Sequence, residues 1–152
     1  MIDNPSYFCQ FIDLLYNEWN VEYAKNGLFN KRSVKSFYKK YMRGIYVLME
    51  DERIVGCYNL TGNRINDVCV NSGMRKMGFG RRLIKDALQK LWFYPVATLS
   101  CKPDLVNYYR SVGFLPYSAL NENIKMIRVN WYMIIMICVC FLYVMINTFF
   151  LL

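Results

Sequence analysis

The stretch that decides the fold lies at residues 75–83 and has the sequence Arg75-Lys76-Met77-Gly78-Phe79-Gly80-Arg81-Arg82-Leu83. A β-rich apolar run at residues 68–70 precedes it, and an amphipathic run follows from about residue 79. A strand that turns through two glycines into a helix leaves the first N–H groups of that helix without carbonyl partners. Such a turn favours phosphate or pyrophosphate, because glycine lets the backbone approach the anion and the flanking cations add charge.

The runs around this turn alternate between helical and strand patterns. Apolar spacing and turn residues predict helices at residues 7–23, 33–42, 79–91 and 103–111, with a loop at 25–31. The same reasoning predicts strands at residues 44–49, 53–60, 64–70, 96–100, 114–117 and 124–129. Strands interrupted by helices in this order indicate an α/β fold with a mixed sheet.

A second motif follows about thirty residues after the glycine turn and has the sequence Asn107-Tyr108-Tyr109-Arg110-Ser111-Val112-Gly113-Phe114. With both motifs in this order, the chain resembles the GNAT superfamily of N-acetyltransferases, whose motifs are R/Q-x-x-G-x-G/A and F/Y-Y-x-x-x-G-F. The resemblance covers about residues 45–117, and in looser outline 7–130. It implies a mixed, mostly antiparallel central sheet flanked by helices, with acetyl-CoA as the co-substrate.

The resemblance also implies roles for particular residues. Arg75 and Lys76 would open the loop that holds the pyrophosphate, and Val68 and Val70 would pair by backbone with the pantetheine arm. Tyr109 stands at the position of the family's general acid, where a phenol can protonate the departing CoA thiolate. The pyrophosphate itself would be bound by the backbone N–H groups of Met77, Gly78, Phe79, Gly80 and Arg81.

The expected third strand lacks the glutamate that many family members use to accept the ammonium proton. Asn66 stands at the corresponding position, and Asp67 follows it. Successive strand residues point to opposite faces, so either Asn66 or Asp67 faces the site. Only Asp67 can serve as a base.

Three functions therefore remain open. The leading interpretation is an acetyl-CoA-dependent N-acetyltransferase that acts on a primary amine by direct attack. A groove carrying Lys39, Lys40 and Arg43 would suit an acidic peptide N-terminus. The alternative is a catalytically silent, membrane-anchored protein of the same fold, favoured by Asn66 and by a first helix that begins where the family usually has a strand. The third is a basic adaptor at membrane surfaces or nucleic acid.

The C-terminal residues 131–152 carry no charge and are almost entirely apolar. A helix of that length can cross a bilayer, and Lys125 and Arg128 lie just before it. The sequence predicts an acetyltransferase domain at residues 1–129 and a transmembrane helix at residues 130–152. This is the layout of a single-pass, tail-anchored protein whose catalytic domain lies in the cytosol, at a membrane that the sequence does not identify.

Composition limits the partners. The 152-residue chain has a net charge of +8 and no histidine. A metal site is not expected, because the six cysteines include no CxxC pair and histidine is absent. Nucleic acid is not favoured, because no dense run of lysine and arginine appears. The expected partners are acetyl-CoA, an amine-bearing substrate and the lipid bilayer, whose anionic headgroups attract basic domains.

Overall fold

The structure, a computed structural model, describes residues 5–23, 44–120 and 122–150. The chain divides into two compact units, Met1–Ala87 and Leu88–Leu152. The predicted loop at residues 25–31 and the predicted helix at 33–42 lie outside the described residues. The basic side chains Lys39, Lys40 and Arg43 lie outside them as well.

The first unit contains one long helix, three strands and the beginning of a second helix. In chain order these are α1 (Pro5–Tyr23), β1 (Ile45–Glu50), β2 (Arg53–Thr61), β3 (Arg64–Val70), a 3₁₀ turn (Ser72–Met74) and α2 (Phe79–Lys90). β2 pairs antiparallel with both β1 and β3. The predicted helices at the start of the chain and after the glycine turn are confirmed, and so are all three strands.

The core of the first unit forms because α1 repeats apolar residues at helical spacing. The buried side chains of this core come from α1 and from all three strands: Phe11, Ile12, Leu14, Leu15, Ile45, Ile54, Cys57 and Cys69. α2 buries a stripe of its own, formed by Leu83, Ile84 and Ala87. The partly exposed first turn of α2 therefore belongs to a helix that is packed along one face.

The turn between β1 and β2 has a backbone conformation that its sequence does not suggest. Glu50 pairs with Arg53, so the connection has two residues. Asp51 and Glu52 both have positive φ, 47° and 61°. Positive φ at both central residues defines a type I′ turn, which usually contains glycine or asparagine. Antiparallel pairing of the two strands requires this tight reversal despite the residue types.

The second unit contains three strands, one short helix and the C-terminal helix. Its elements are β4 (Val96–Cys101), a 3₁₀ turn (Pro103–Leu105), α3 (Val106–Ser111), β5 (Leu115–Leu120), β6 (Asn123–Val129) and α4 (Trp131–Phe150). β6 pairs antiparallel with both β4 and β5. Fully buried Phe114 and Met126, together with Leu99 and Cys101, are among its core residues. The predicted α/β class is confirmed, and these pairings are antiparallel, as expected for most of the sheet.

The C-terminal segment is helical, but its predicted role as a membrane span is not supported. α4 covers Trp131–Phe150. Across the part of the chain that the structure describes, no helix meets the length and apolarity required to cross a membrane. The division into domains at residues 129 and 130 stays a prediction.

Candidate functional site

The glycine turn lies at the first turn of α2, as the sequence predicts. α2 begins at Phe79, and the N–H of Arg82 donates to the carbonyl of Gly78 at 3.1 Å. Gly78 is therefore the N-terminal cap, and the N–H groups of the next three residues have no carbonyl partner within the helix. The first turn carries no acidic residue. The positive end of the helix dipole is thus open to an anion.

The backbone before α2 alternates between ordinary and left-handed conformations. Lys76 has a φ of 64° and Gly78 a φ of 86°. A Cβ atom added at Gly78 would meet nothing within 4 Å. Alternating backbone conformations of this kind turn successive N–H groups toward one concave side, which is the geometry of an anion-binding nest. The residues present therefore fit a pyrophosphate, with free space on the side of Gly78.

All four cations of this segment are exposed to solvent, and two of them form ion pairs. Arg75 pairs with Glu18 of α1, and Arg82 pairs with Glu50 at the end of β1. Lys76 and Arg81 are exposed. Lys76 and Arg81 are therefore the cations of the loop that are best placed to meet phosphate oxygens, whereas Arg75 and Arg82 are committed to carboxylates.

β3, which leads into the turn, contains a bulge at the positions where a base is expected. The register between β2 and β3 shifts between Cys57 and Asn59, and Asp67 has a φ of 54°. Asn66 lies opposite Asn59, and its side-chain amide donates to the Thr61 hydroxyl at 3.4 Å. Alternation between strand faces is interrupted by the bulge, so it does not decide which of Asn66 and Asp67 faces the site.

The two valines expected to meet the pantetheine arm lie on either side of Cys69 in β3. Val68 and Val70 are both half-buried, whereas Cys69 is buried in the core. Val70 lies opposite Gly56, and its carbonyl accepts a hydrogen bond from Nε of Arg75 at 3.3 Å. The end of β3 is therefore linked to the first residue of the loop.

A buried phenol that the sequence reasoning missed ties α2 to β2. Tyr58 is 1% exposed, and its hydroxyl donates to Oδ2 of Asp86 on α2. Its ring stacks on Tyr46, with ring centroids 5.0 Å apart. Burial and the hydrogen bond to Asp86 raise the pKa of Tyr58 well above its usual value. Neutral Tyr58 thus fixes the helix whose first turn forms the anion site.

Tyr109, the expected general acid, belongs to the second unit and lies on α3. It is 6% exposed and packs edge-to-face against Tyr108 and Phe114. Its carbonyl accepts the N–H of Phe114 at 3.1 Å, and this hydrogen bond holds the residues that follow α3 against the end of the helix. Burial, with smaller effects of Tyr108 and Cys101, raises the pKa of Tyr109. The phenol therefore stays protonated at neutral pH and is a weaker acid than an exposed tyrosine.

A cavity of about 910 Å³ opens in the first unit beside the segment that precedes the loop. It is lined by residues of α1, the turn between β1 and β2, and residues 71–74. Its charged lining residues are Asp13, Glu50, Asp51 and Arg53. Because Glu50 is also paired with Arg82, the lining of this cavity is only weakly acidic.

No metal-binding group was found among the residues that the structure covers. Within that part of the chain, no three or more histidine, cysteine, aspartate or glutamate side chains are placed to hold a metal ion. The six cysteines are free thiols.

Comparison with known proteins agrees with the two motifs. The family model described as acetyltransferase (GNAT) domain matches residues 18–129. No curated protein matches the chain. Because the family model matches well over half of the chain, the protein belongs to the GNAT acetyltransferase family.

Solved structures show the same fold at low sequence identity. PH1933 from Pyrococcus horikoshii OT3 is 18% identical with a TM-score of 0.69, over 83% of this chain and 92% of that one. An aminoglycoside 6'-acetyltransferase type Ii is 19% identical with a TM-score of 0.69, over 86% and 94%. The PaiA N-acetyltransferase from Thermoplasma acidophilum, solved in complex with coenzyme A, is 12% identical with a TM-score of 0.58, over 82% and 93%.

Family membership makes acetyl-CoA the co-substrate, which confirms the prediction from the motifs. The open first turn of α2 and the space beside Gly78 fit its pyrophosphate. The sequence did not predict three side-chain contacts around this turn, which are made by Glu18, by Glu50, and by Tyr58 with Asp86. Each joins residues at least 28 positions apart, and no local pattern signals such a pairing.

Proposed function

We propose that the protein is an N-acetyltransferase that transfers the acetyl group of acetyl-CoA to a primary amine by direct attack. The observation that carries the proposal is the turn at residues 75–82. Lys76 and Gly78 have left-handed backbone conformations there, and the first turn of the following helix α2 contains no acidic residue. The family resemblance gives Tyr109, in the second unit, the role of proton donor in this reaction.

In the proposed reaction the neutral amine attacks the thioester carbonyl carbon. The new C–N bond forms, the C–S bond breaks, and the departing sulfur takes its proton from the Tyr109 hydroxyl, which regains one from solvent. The ammonium proton leaves through water to Asp67, the one carboxylic acid on β3. Developing negative charge on the carbonyl oxygen is stabilised by a backbone N–H near the end of β3, as the family resemblance implies.

We further propose that the acceptor carries positive charge near its reacting amine. The charged lining of the cavity beside residues 71–74 consists of three carboxylates and one arginine. Asp13 and Asp51 in this lining attract a second ammonium group and repel acidic side chains, whereas the Glu50 carboxylate is paired with Arg82. Among the acceptors considered, a polyamine-like small molecule or a lysine-containing peptide therefore fits these residues better than an acidic peptide N-terminus.

The test is acetyl transfer measured by CoA release and by the mass of the acetylated product. The full-length protein, in detergent, is offered small diamines, lysine peptides, and neutral and acidic peptide N-termini. We expect turnover with at least one amine and a preference for cationic acceptors. Asp67→Asn is expected to raise the pH at which the rate is half-maximal. Asn63→Asp, on the turn before β3, is the control and is expected to leave that pH unchanged. CoA release no faster than in buffer with every amine would contradict the proposal.

A catalytically silent protein of the same fold is the second candidate, because Asn66 replaces the usual glutamate and its side chain is engaged with Thr61. In that case the protein binds CoA and the panel shows no transfer. If wild-type protein binds no CoA at all, both candidates fail.

Membrane attachment through the uncharged C-terminal segment is a separate part of the proposal. Residues 131–152 contain no charge. Large apolar side chains of α4 are exposed along its described length, among them Trp131, Ile135, Phe141, Leu142 and Ile146. Exposed apolar surface of this extent favours a lipid or protein partner. We propose a single-pass anchor with the acetyltransferase domain on the cytosolic side.

Alkaline carbonate extraction of cells expressing the full chain tests the anchor. An anchored protein stays in the membrane pellet, and a chain that ends at residue 129 is released. Release of the full-length protein into the supernatant would contradict membrane anchoring while leaving the acetyltransferase proposal intact.

A further inference from the structure

Glu18 makes two contacts with the segment that leads into the glycine turn. Its carboxylate accepts the backbone N–H of Ser72 at 2.7 Å and pairs with Nη2 of Arg75 at 2.5 Å. The Glu18 side chain is 7% exposed, whereas that of Arg75 is 57% exposed. A carboxylate withdrawn from water this far requires its partners, because burying an unpaired charge is strongly unfavourable.

The contacts of Glu18 complete a set of bonds that fixes residues 70–75. The Asn71 N–H donates to the Val55 carbonyl at 2.9 Å, and the Asn71 side chain accepts the Gly73 N–H at 3.0 Å. Arg75 spans from the Glu18 carboxylate to the Val70 carbonyl. The last residue before left-handed Lys76 is thereby held between α1 and the end of β3.

The ion pair on the other side of the turn differs in two respects. Arg82 and Glu50 are 2.6 Å apart, but their side chains are 63% and 38% exposed. An exposed ion pair is weakened by water and salt. Among the residues that the structure describes, Glu50 pairs with the Arg82 side chain and accepts no backbone N–H of residues 71–75. The two pairs are alike in distance and differ in burial and in contact with backbone.

We propose that Glu18 is a positioning residue for acetyl-CoA. By holding the Ser72 N–H and the Arg75 guanidinium, it fixes the conformation in which the N–H groups of the following loop converge on the pyrophosphate. A pre-formed loop binds the anion without first being ordered. Arg75 then serves this conformation and does not contact phosphate. The inference rests on the use of acetyl-CoA by this chain.

The first test compares CoA affinity in full-length protein by isothermal titration. Glu18→Ala removes both contacts, and we expect the Kd for CoA to rise about tenfold or more, the size of one charge-assisted hydrogen bond. Glu18→Gln keeps an acceptor for the Ser72 N–H and is expected to recover part of the affinity. Glu50→Gln, the matched control at the exposed pair, is expected to change the Kd by less than about threefold.

The second test separates positioning from stability. Loss of a pre-formed binding loop raises the KM for acetyl-CoA and leaves kcat nearly unchanged. In the double variant Glu18→Gln/Arg75→Gln, the effects on affinity are expected to be less than additive, since both changes break one interaction. Should Glu18→Ala fail to fold, Glu18→Gln and Arg75→Gln carry the test.

The proposal is overturned if the Glu18 variants bind CoA as wild-type does while melting at a lower temperature, because that result assigns Glu18 a purely structural role. Equal losses of affinity in Glu18→Gln and Glu50→Gln would overturn it as well. If the wild-type protein binds CoA and only the Glu18 predictions fail, the proposed function stands. If the wild-type protein binds no CoA, the proposed function fails first.

Discussion

The loop before α2 and the tyrosine of α3 offer two different kinds of functional group. From Arg75 to Gly78 the loop is exposed, and its proposed role depends on backbone N–H groups and left-handed φ angles. Tyr109 is buried among aromatic rings, and its proposed role depends on one hydroxyl group. Cofactor binding should therefore tolerate new side chains that keep the loop conformation. Catalysis should not tolerate loss of a single oxygen atom.

The largest expected effect follows from removing that oxygen. Tyr109→Phe should lower kcat by about a hundredfold or more, the usual contribution of general acid–base catalysis, and leave the Kd for CoA within about twofold of wild-type. Tyr117→Phe, at an exposed position of β5, serves as the control and should leave both quantities unchanged. Steady-state kinetics together with titration calorimetry measures the difference. An unaltered rate in Tyr109→Phe would remove the general acid from the mechanism.

Gly78→Ala should act on binding through the backbone. Gly78 has a φ of 86° with open space around a new Cβ, so the change costs about 1–2 kcal/mol of backbone strain without a steric clash. Part of that strain is relieved by moving the loop, and we expect CoA affinity to fall about tenfold.

Gly62→Ala provides the matched control for Gly78→Ala. Gly62, in the turn between β2 and β3, also has a positive φ and equally open surroundings. Both variants should lose similar free energy of unfolding in urea titrations, and only Gly78→Ala should lose CoA affinity. Equal CoA binding by the two variants would show that the loop conformation does not matter for the cofactor.

Alkaline pH should lower the free energy of unfolding through the buried phenols of Tyr58 and Tyr109. The pKa values of Tyr58 and Tyr109 are raised in the folded protein. Below about pH 10, the folded and the unfolded chain both keep the phenol protons, so the stability that depends on these two phenols is fully present. Above pH 10 the unfolded chain loses them first, so the free energy of unfolding falls by about 1.4 kcal/mol per pH unit for each phenol until the folded pKa is reached.

Urea unfolding at a series of pH values measures this slope. Tyr58→Phe and Tyr109→Phe should each make the fall of the unfolding free energy above pH 10 less steep, by the contribution of the phenol that is removed. The thiols of Cys57 and Cys101, whose pKa values are also raised by their surroundings, contribute in the same direction in all variants. A slope that neither substitution changes would mean that these phenols ionise alike in the folded and unfolded states.

The smallest expected effect lies at the exposed ion pair beside the loop. Arg82→Gln breaks the contact with Glu50, and we expect a loss of less than about 1 kcal/mol of unfolding free energy, which high salt should abolish. CoA affinity should stay within about threefold of wild-type. A large, salt-independent loss in thermal and urea unfolding would contradict the assignment of this pair as a weak surface contact.

Much of the fold could be predicted because the chain follows local rules. Strand β3 has the bounds that its residues predict, and α1 and α2 differ from prediction by one or two residues. Their apolar spacing and flanking turns determine these elements. The left-handed positions Asp51, Glu52 and Asp67 could not be predicted, since none of them is glycine. Pairing of neighbouring strands imposes their φ angles.

The candidate site was predictable where it depends on sequence order and not where it depends on distant contacts. The glycine turn and Tyr109 stand in motifs, so the sequence offers both as candidates. Glu18 meets Arg75 from 57 positions away, and Tyr58 meets Asp86 from 28. Nothing in the spacing of α1 distinguishes Glu18 from Glu22. Alternation along a strand does not decide whether Asn66 or Asp67 faces the site either, because a bulge interrupts it.

The central claim is that the loop at residues 75–81 binds the pyrophosphate of acetyl-CoA. Isothermal titration of the protein with acetyl-CoA, and in parallel with S-acetylpantetheine, tests it most directly, because the second ligand keeps the thioester and lacks the pyrophosphate together with the 3′-phosphoadenosine attached to it. We predict a Kd for acetyl-CoA in the micromolar to submillimolar range, roughly that of enzyme substrates, and affinity for S-acetylpantetheine at least about a hundredfold weaker. Equal affinity for the two ligands, or no binding of acetyl-CoA, would contradict the account.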